Sequence, residues 1–232
     1  MNGLPDVTAL AKILADPTRA QLIDQLLDGR AHTLLELTRA AGVTPQTGTY
    51  HLQRLMAQDI VVQTQSGRHH YFALQSPQVA AAFEALSGLA PQKPVQRLSQ
   101  KGPAADMAYC RTCYDHLAGT VGVALCESLQ RQGWLVVAQH RFAVTEAGRQ
   151  ALAQRLDLDW TVLARQKRQL TVRCLDWSQR RYHLGGAVGH AIFAALLTRE
   201  AVVRTASRSV AVTAAGRSVL EGLGVAASAL VR

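Results

Sequence analysis

The sequence has few cysteines, four in 232 residues. That is too few for a disulfide scaffold, so a reducing, cytoplasmic setting is expected. No apolar run is long enough for a bilayer. The longest, residues 184–197, is interrupted by His190 and falls well short of the roughly 20 residues a spanning helix needs, which excludes a membrane protein. The first residues lack the basic start and apolar block of a secretory signal, because Asp6, Asp16 and Asp24 interrupt them, and no such signal is expected. Charged residues make up only 18% of the chain against 48% apolar, which excludes a disordered tail or a solvated coiled coil. Acid is missing from residues 91–103, where Pro91, Pro94 and Pro103 alternate with Lys93, Arg97 and Lys101. That stretch reads as a basic linker between a domain at 1–90 and one at 104–232.

What is present in excess is positive charge, a formal +9, which favours an anionic partner. Its distribution is uneven. Residues 1–90 hold six basic side chains (Lys12, Arg19, Arg30, Arg39, Arg54, Arg68) and seven acids (Asp6, Asp16, Asp24, Asp28, Glu36, Asp59, Glu84), a balance of −1. The whole surplus therefore lies after residue 90.

In the first ninety residues, Asp16 caps a helix that Pro17 begins, and Ala20, Ile23, Leu26 and Leu27 recur at helical spacing up to Gly29. Thr33 and Glu36 form a capping box for a second helix over 34–41, and Gly42 supplies the turn. Thr44-Pro45 starts a third helix that reaches about Gln58. Gly48, Leu52, Leu55 and Met56 share one face of it, with Thr47, Tyr50, His51 and Arg54 on the other. Residues 60–65, 66–67 and 68–74 read as strand, turn and strand.

Two short helices joined through a glycine turn and followed by a hairpin make a winged helix-turn-helix. The third helix is expected to present Gln46, Thr47, Tyr50, His51 and Arg54 to the major groove. There glutamine can read adenine, and arginine can read guanine or hold phosphate. Arg68, His69, His70 and Tyr71 of the hairpin would lie over backbone or minor groove. The competing reading is a winged helix used only for protein contacts, with these side chains as a solvated face.

Four pieces carry a family resemblance: Asp16-Pro17-Thr18-Arg19, Glu36-Leu37, His51-Leu52-x-x-Leu55 and Gly67-Arg68-x-x-Tyr71. In order and spacing, about residues 5–90 resemble the ArsR-type family of bacterial winged-helix repressors. The resemblance implies a homodimer that binds a palindromic operator in double-stranded DNA and is released by an inducer. It also implies a recognition helix at 44–58, a wing at 61–74, and dimer helices near Val7–Leu14 and at 79–89. Two departures stand out. The second helix lacks the Cys-x-Cys of metal-sensing members, and the last helix holds one acid, Glu84, and no histidine. Sensing must then lie in the remaining 140 or so residues.

Those residues repeat. His116-Leu-Ala-Gly-Thr-Val-Gly-Val-Ala-Leu-Cys-Glu-Ser-Leu129 matches the stretch 183–196 at seven of fourteen positions, and Val144-Thr-Glu-Ala-Gly-Arg149 matches 212–217 at five of six. The duplicated segments are 116–155 and 183–222, each predicted as helix, strand, turn, strand, helix, like half of a winged helix. The expected fold class is thus mainly α with small β-hairpins. Gly119, Gly122, Gly186 and Gly189 are expected to admit a neighbouring helix closely.

All four cysteines, Cys110, Cys113, Cys126 and Cys174, lie in this part. Cys110, Cys113 and Cys174 with His116 offer soft ligands for zinc or another thiophilic metal such as mercury or trivalent arsenic. Cys110-x-x-Cys113 beside a helix N-terminus reads alternatively as a redox pair. Cys126 reads as core, and His116 with its repeat partner His183 as capping or core groups. A third reading is an apolar inducer pocket between the copies, lined by Trp134, Trp160 or Trp177. The function expected is a DNA-binding transcriptional repressor with a C-terminal sensor domain. The alternatives are an unregulated architectural DNA binder and, from another class, a thiol oxidoreductase. Against the enzyme, no strand precedes the cysteine pair and no acid–base constellation is evident.

Overall fold

Residues 4–91, 98–205 and 208–232 are described by a computed structural model, and the chain divides into two units, 1–83 and 84–232. In the first, α1 (Val7–Leu14) and α2 (Pro17–Leu26) begin at aspartates whose carboxylates accept backbone N–H groups, Asp6 from Ala9 and Asp16 from Arg19. A two-residue strand β1 (His32–Thr33) leads into α3 (Leu34–Ala41). Both halves of the Thr33–Glu36 capping box form, and Gly42 closes the helix at φ 66°. Next come α4 (Pro45–Met56), capped by Thr44, then β2 (Val61–Ser66), β3 (His69–Leu74) and α5 (Pro77–Leu89), which reaches into the second unit. The strands make one antiparallel sheet in the order β1-β3-β2. Ser66 pairs with His69, so the turn is Gly67-Arg68, one residue later than the sequence reading placed it. Leu22, Ile23, Leu26, Leu37, Leu52 and Leu55 form a core with no exposed area.

Beneath that core Asp28, 2% exposed, accepts hydrogen bonds from the Arg30 backbone N–H and Nε at 2.9 and 2.6 Å, and lies 3.0 Å from His32 Nε2. Burial raises its carboxyl, but the bonds from His32 and Arg30 outweigh that and hold it below the usual range. A depressed native pKa gives stability that is present above the unfolded value of about 4 and is lost as pH falls through the native value. Asp28→Asn is therefore expected to cost the unit about 1.5–3 kcal/mol at neutral pH. It should also flatten the acid limb of stability, as denaturant unfolding of both chains at a series of pH values will check.

In the second unit, residues 92–97 of the expected linker, with Lys93 and Arg97, lie outside the described residues. Residues 98–103 correct that expectation, since they open a helix, α6 (Leu98–Tyr109), with Pro103 inside it. One proline removes a single backbone bond, and Ala104, Ala105 and Met107 that follow favour helix.

The duplication is structural, and it is larger than its sequence signal. The first copy runs β4 (Arg111–Cys113), β5 (His116–Ala118), α7 (Gly119–Arg131), β6 (Leu135–Ala138), β7 (Arg141–Val144), α8 (Glu146–Leu156). A short α9 (Trp160–Ala164) leads to the second copy: β8 (Val172–Leu175), β9 (Tyr182–Gly185), α10 (Gly186–Thr198), β10 (Val202–Arg204), β11 (Val210–Val212), α11 (Ala214–Gly222). A short 3-10 turn, Ala227–Leu230, follows. The hairpin ahead of each long helix, β4–β5 and β8–β9, was not foreseen. Of the repeated glycines, Gly119 admits a neighbouring helix as expected, since a Cβ there would lie 2.8 Å from the Ala108 carbonyl oxygen of α6, whereas the other three meet strand or loop backbone. A Cβ on Gly122 or Gly189 would lie 2.5 or 2.2 Å from the carbonyl oxygen of Leu117 or Leu184, so each helix starts folded back on its own preceding strand rather than on a neighbouring helix. Val121, Cys126, Leu129, Val188, Phe193 and Leu196 of α7 and α10 are at the centre of the apolar core.

Candidate nucleic-acid interface and a thiol–imidazole cluster

Helix α4 is seated by its glycine. A Cβ at Gly48 would come within 2.2 Å of the Thr38 methyl, so α3 and α4 cross closely, while Leu52 and Leu55 are fully buried. The opposite face is open. Gln46, Tyr50 and Arg54 are exposed and Thr47 half-buried. The N-terminus is held by the Thr44 hydroxyl, which accepts the Thr47 N–H at 3.2 Å. The Arg54 guanidinium lies over the Tyr50 ring at 5.1 Å, and no carboxylate pairs with it among the described residues. This leaves its N–H fork available to a base edge or a phosphate.

His51 does not join that face. It is 8% exposed, with Nδ1 3.5 Å from Arg19 Nη1 and 3.6 Å from the Asp16 carboxylate, so it ties α4 to the start of α2. On the wing Arg68, His69 and His70 are exposed, and His70 Nδ1 lies 2.8 Å from the Gln63 amide. Tyr71 is half-buried beside the His69 ring. Outward polar groups thus occupy both the helix and the wing of one domain, the layout by which a winged helix meets groove and backbone together.

In the second unit the structure brings together Cys113, His116, Cys174 and His183, whose ligand atoms all lie within 4.8 Å of one another. Each hairpin supplies one cysteine and, directly across the ladder, one histidine: Cys113 opposite His116, Cys174 opposite His183. The imidazole centroids are 5.1 Å apart. His116 Nδ1 lies 3.3 Å from Asp115, which receives Arg168 at 2.5 Å. Burial pulls His116 down, but the Cys113 sulfur and the Asp115 carboxylate more than offset it, raising its pKa to about 9. Burial and the adjacent His116 push His183 well below its ordinary value. The Cys113 thiol is pushed well up by the Cys174 thiol it faces and by burial. Such a donor set suits a soft dication.

Cys110 is not part of this cluster. It follows the C-terminal end of α6, its N–H bonded to Asp106 O, and packs in the core. A helix C-terminus disfavours thiolate, and burial pushes this thiol up to about 12, both opposite to what a redox pair needs. Cys126 is core, as expected. One space between the copies, lined by Leu117, Leu125, Cys126, Leu184 and Ile192, is about 10 Å³, room for a single water at most. A wider, open cleft of about 470 Å³ lies between α8–α9 and α10, lined by Leu156, Val162, Leu163, His190 and Ala195. The tryptophans line neither. Trp134, Trp160 and Trp177 instead stack on Arg155, Arg149 and Arg111.

Among the described residues no helix is long and apolar enough to cross a membrane. A family profile described as a helix-turn-helix domain matches residues 14–64. A Bacillus subtilis (strain 168) protein described as an uncharacterized HTH-type transcriptional regulator, YdfF, is 34% identical over 218 residues, covering 94% of this chain and 96% of that one. Among solved structures, the homodimeric winged helix-turn-helix DNA-binding domain of Mb0332 from Mycobacterium bovis shares 25% identity. It covers 38% of this chain and 89% of its own, with TM-score 0.34. Reduced HlyU from Vibrio cholerae N16961 shares 26% over 37% of this chain and 88% of its own, with TM-score 0.33. The likeness to the Bacillus protein runs through both units, and on that ground the chain belongs to the helix-turn-helix transcriptional regulators, with its helix-turn-helix domain at the N-terminus.

Proposed function

We propose that the chain is a cytoplasmic repressor that binds a palindromic operator as a homodimer and leaves it when a signal reaches the sensor domain, residues 104–232. The observation that carries this reading is the open face of α4, where exposed Gln46, Tyr50 and Arg54 stand on a helix fixed by the Gly48 crossing and the Thr44 cap. The wing side chains Arg68, His69 and His70 supply contacts to the flanking backbone. Dimerisation is supported by apolar side chains that one copy leaves in water: Val7 and Leu10 on α1, which buries no residue at all, and Leu86 and Leu89 on α5. Apolar surface left exposed in this way favours a second copy.

A gel shift with DNA from upstream of its own gene tests the reading. The expected result is a discrete complex at nanomolar protein that competitor DNA does not displace and that one of reductant, zinc, mercury or arsenite dissolves. A complex indifferent both to sequence and to every one of these would instead mark an unregulated architectural binder.

A further inference from the structure

We infer that Cys113, His116, Cys174 and His183 form a closed tetrahedral site for one zinc-class dication, with half of its ligands from each copy of the duplicated domain. The inference deepens the sensing half of the proposed function by naming the ligand, and it stands apart from the DNA-reading half.

The argument starts from the topology. In each copy a cysteine sits directly across a hairpin from a histidine. The histidines are 67 residues apart and so reveal themselves in the repeat. The cysteines are 61 apart, because eight residues separate Cys174 from His183 where two separate Cys113 from His116. The six extra residues lie in the β8–β9 connection and hide an equivalence that the ladder restores. Two copies of one device thus face each other.

The second observation is unmet polarity. Nε2 of His116 and both ring nitrogens of His183 are buried without a hydrogen-bond partner among the described residues, and the two histidines are 6% and 1% exposed. Leaving such atoms dry and unpaired is costly in a core. A cation at the centre of the cluster would satisfy one nitrogen of each ring. The size fits as well. Bonds of about 2.3 Å to sulfur and 2.0 Å to nitrogen place tetrahedral donors roughly 3.3–3.8 Å apart, inside the 4.8 Å that contains all four ligand atoms. Gly185 borders the cluster, and any Cβ there would lie 2.9 Å from His116 Nε2 and 3.0 Å from Cys174 Sγ, so a side chain would crowd the donors.

The orientation of one ring is prepared in advance. Asp115 takes up Nδ1 of His116 and is itself held by Arg168, which turns Nε2 inward in the carboxylate–histidine arrangement common around zinc. Asp176 lies 3.8 Å from His183 Nδ1 in a looser version of the same arrangement. Two sulfur and two nitrogen donors with no open position select a d10 dication over magnesium or calcium. Loading releases to solvent the two thiol protons and any proton on the ligating imidazole nitrogens, with no change of oxidation state.

The test uses the full chain, reduced and stripped of metal, titrated with cobalt(II) and then zinc(II). The expected result is one equivalent of cobalt per chain, with the strong visible bands of a tetrahedral ion and near-ultraviolet thiolate charge transfer, all displaced by one equivalent of zinc. Cys174→Ser, at the least buried ligand, should lose much of the charge-transfer band and most of the affinity. Asp115→Asn should retain the spectrum with affinity down about 10–100-fold. Cys110→Ala should match the parent. Absence of a stoichiometric cobalt spectrum in the parent chain, or a spectrum unchanged in Cys174→Ser, would overturn the inference, and the parent titration decides even if a variant fails to fold. Operator affinity is measured separately with and without zinc. A loaded site with zinc-independent operator binding keeps the site and removes its role as signal, whereas no loading with intact operator binding removes the site alone.

Discussion

Asp176→Ala is expected to unfold the second unit in denaturant or heat that leaves the parent chain folded. The Asp176 and Arg111 side chains are both fully buried and meet at 2.9 Å. The same carboxylate accepts the Gly119 N–H at 2.7 Å, at the first turn of α7, and the N–H groups of Ser178 and Gln179 at 2.8 and 2.9 Å. One side chain therefore neutralises an arginine from the first copy, caps its long helix and fixes the loop that closes the second hairpin. After truncation the Arg111 guanidinium keeps, among the described residues, the Met107 carbonyl, the Ser178 hydroxyl and the face of Trp177, with no carboxylate among them to compensate its charge in the core. Breaking a buried pair by removing one partner costs about 3–5 kcal/mol, a large share of the roughly 5–15 kcal/mol that holds a domain together. All three tryptophans lie in this unit, so the fluorescence of a denaturant titration reports it selectively. A loss below about 1 kcal/mol would mean the pair is solvated in the native state.

Gln46→Ala/Arg54→Ala, the second large effect, is expected to abolish selective operator binding while leaving the fold intact. Both side chains are exposed on α4, so little stability is at stake. Each base-edge contact is worth about 1–3 kcal/mol of discrimination, and losing two weakens the operator complex about 100-fold or more. Non-specific affinity, set by phosphate contacts, should change little. His51→Ala should behave in the opposite way, losing stability through the α2–α4 tie.

The residues made parts of this structure readable in advance and concealed others for identifiable reasons. Asp16, Thr33, Glu36 and Thr44 announce helix starts because capping is local chemistry, decided within three or four residues. His51 is polar by type but buried by position. It lies three residues after Gly48 and four before Leu55, on the stripe that faces the core, and the helical period alone could have found it. Pro103 masked a helix because its cost is one bond, which good helix formers after it offset. His183 shows itself in the repeat without revealing its thiol neighbours, while the Cys110-x-x-Cys113 spacing is one that the fold does not use, since Cys110 packs in the core. The ligand set depends on strand pairing across turns of unequal length, which an ungapped comparison does not see. The first unit, which holds the helix proposed to face DNA, is not the basic one, so selectivity there would rest on placement more than on field strength.

Helix α4 is proposed to read sequence. Footprinting of the full chain on DNA upstream of its own gene, at near-physiological salt, tests it most directly. The expected result is two protected half-sites related by a dyad, about one helical turn apart, with protection lost in Gln46→Ala/Arg54→Ala at concentrations where the parent saturates the site. Protection without sequence preference, or a footprint that the double substitution leaves in place, would contradict it.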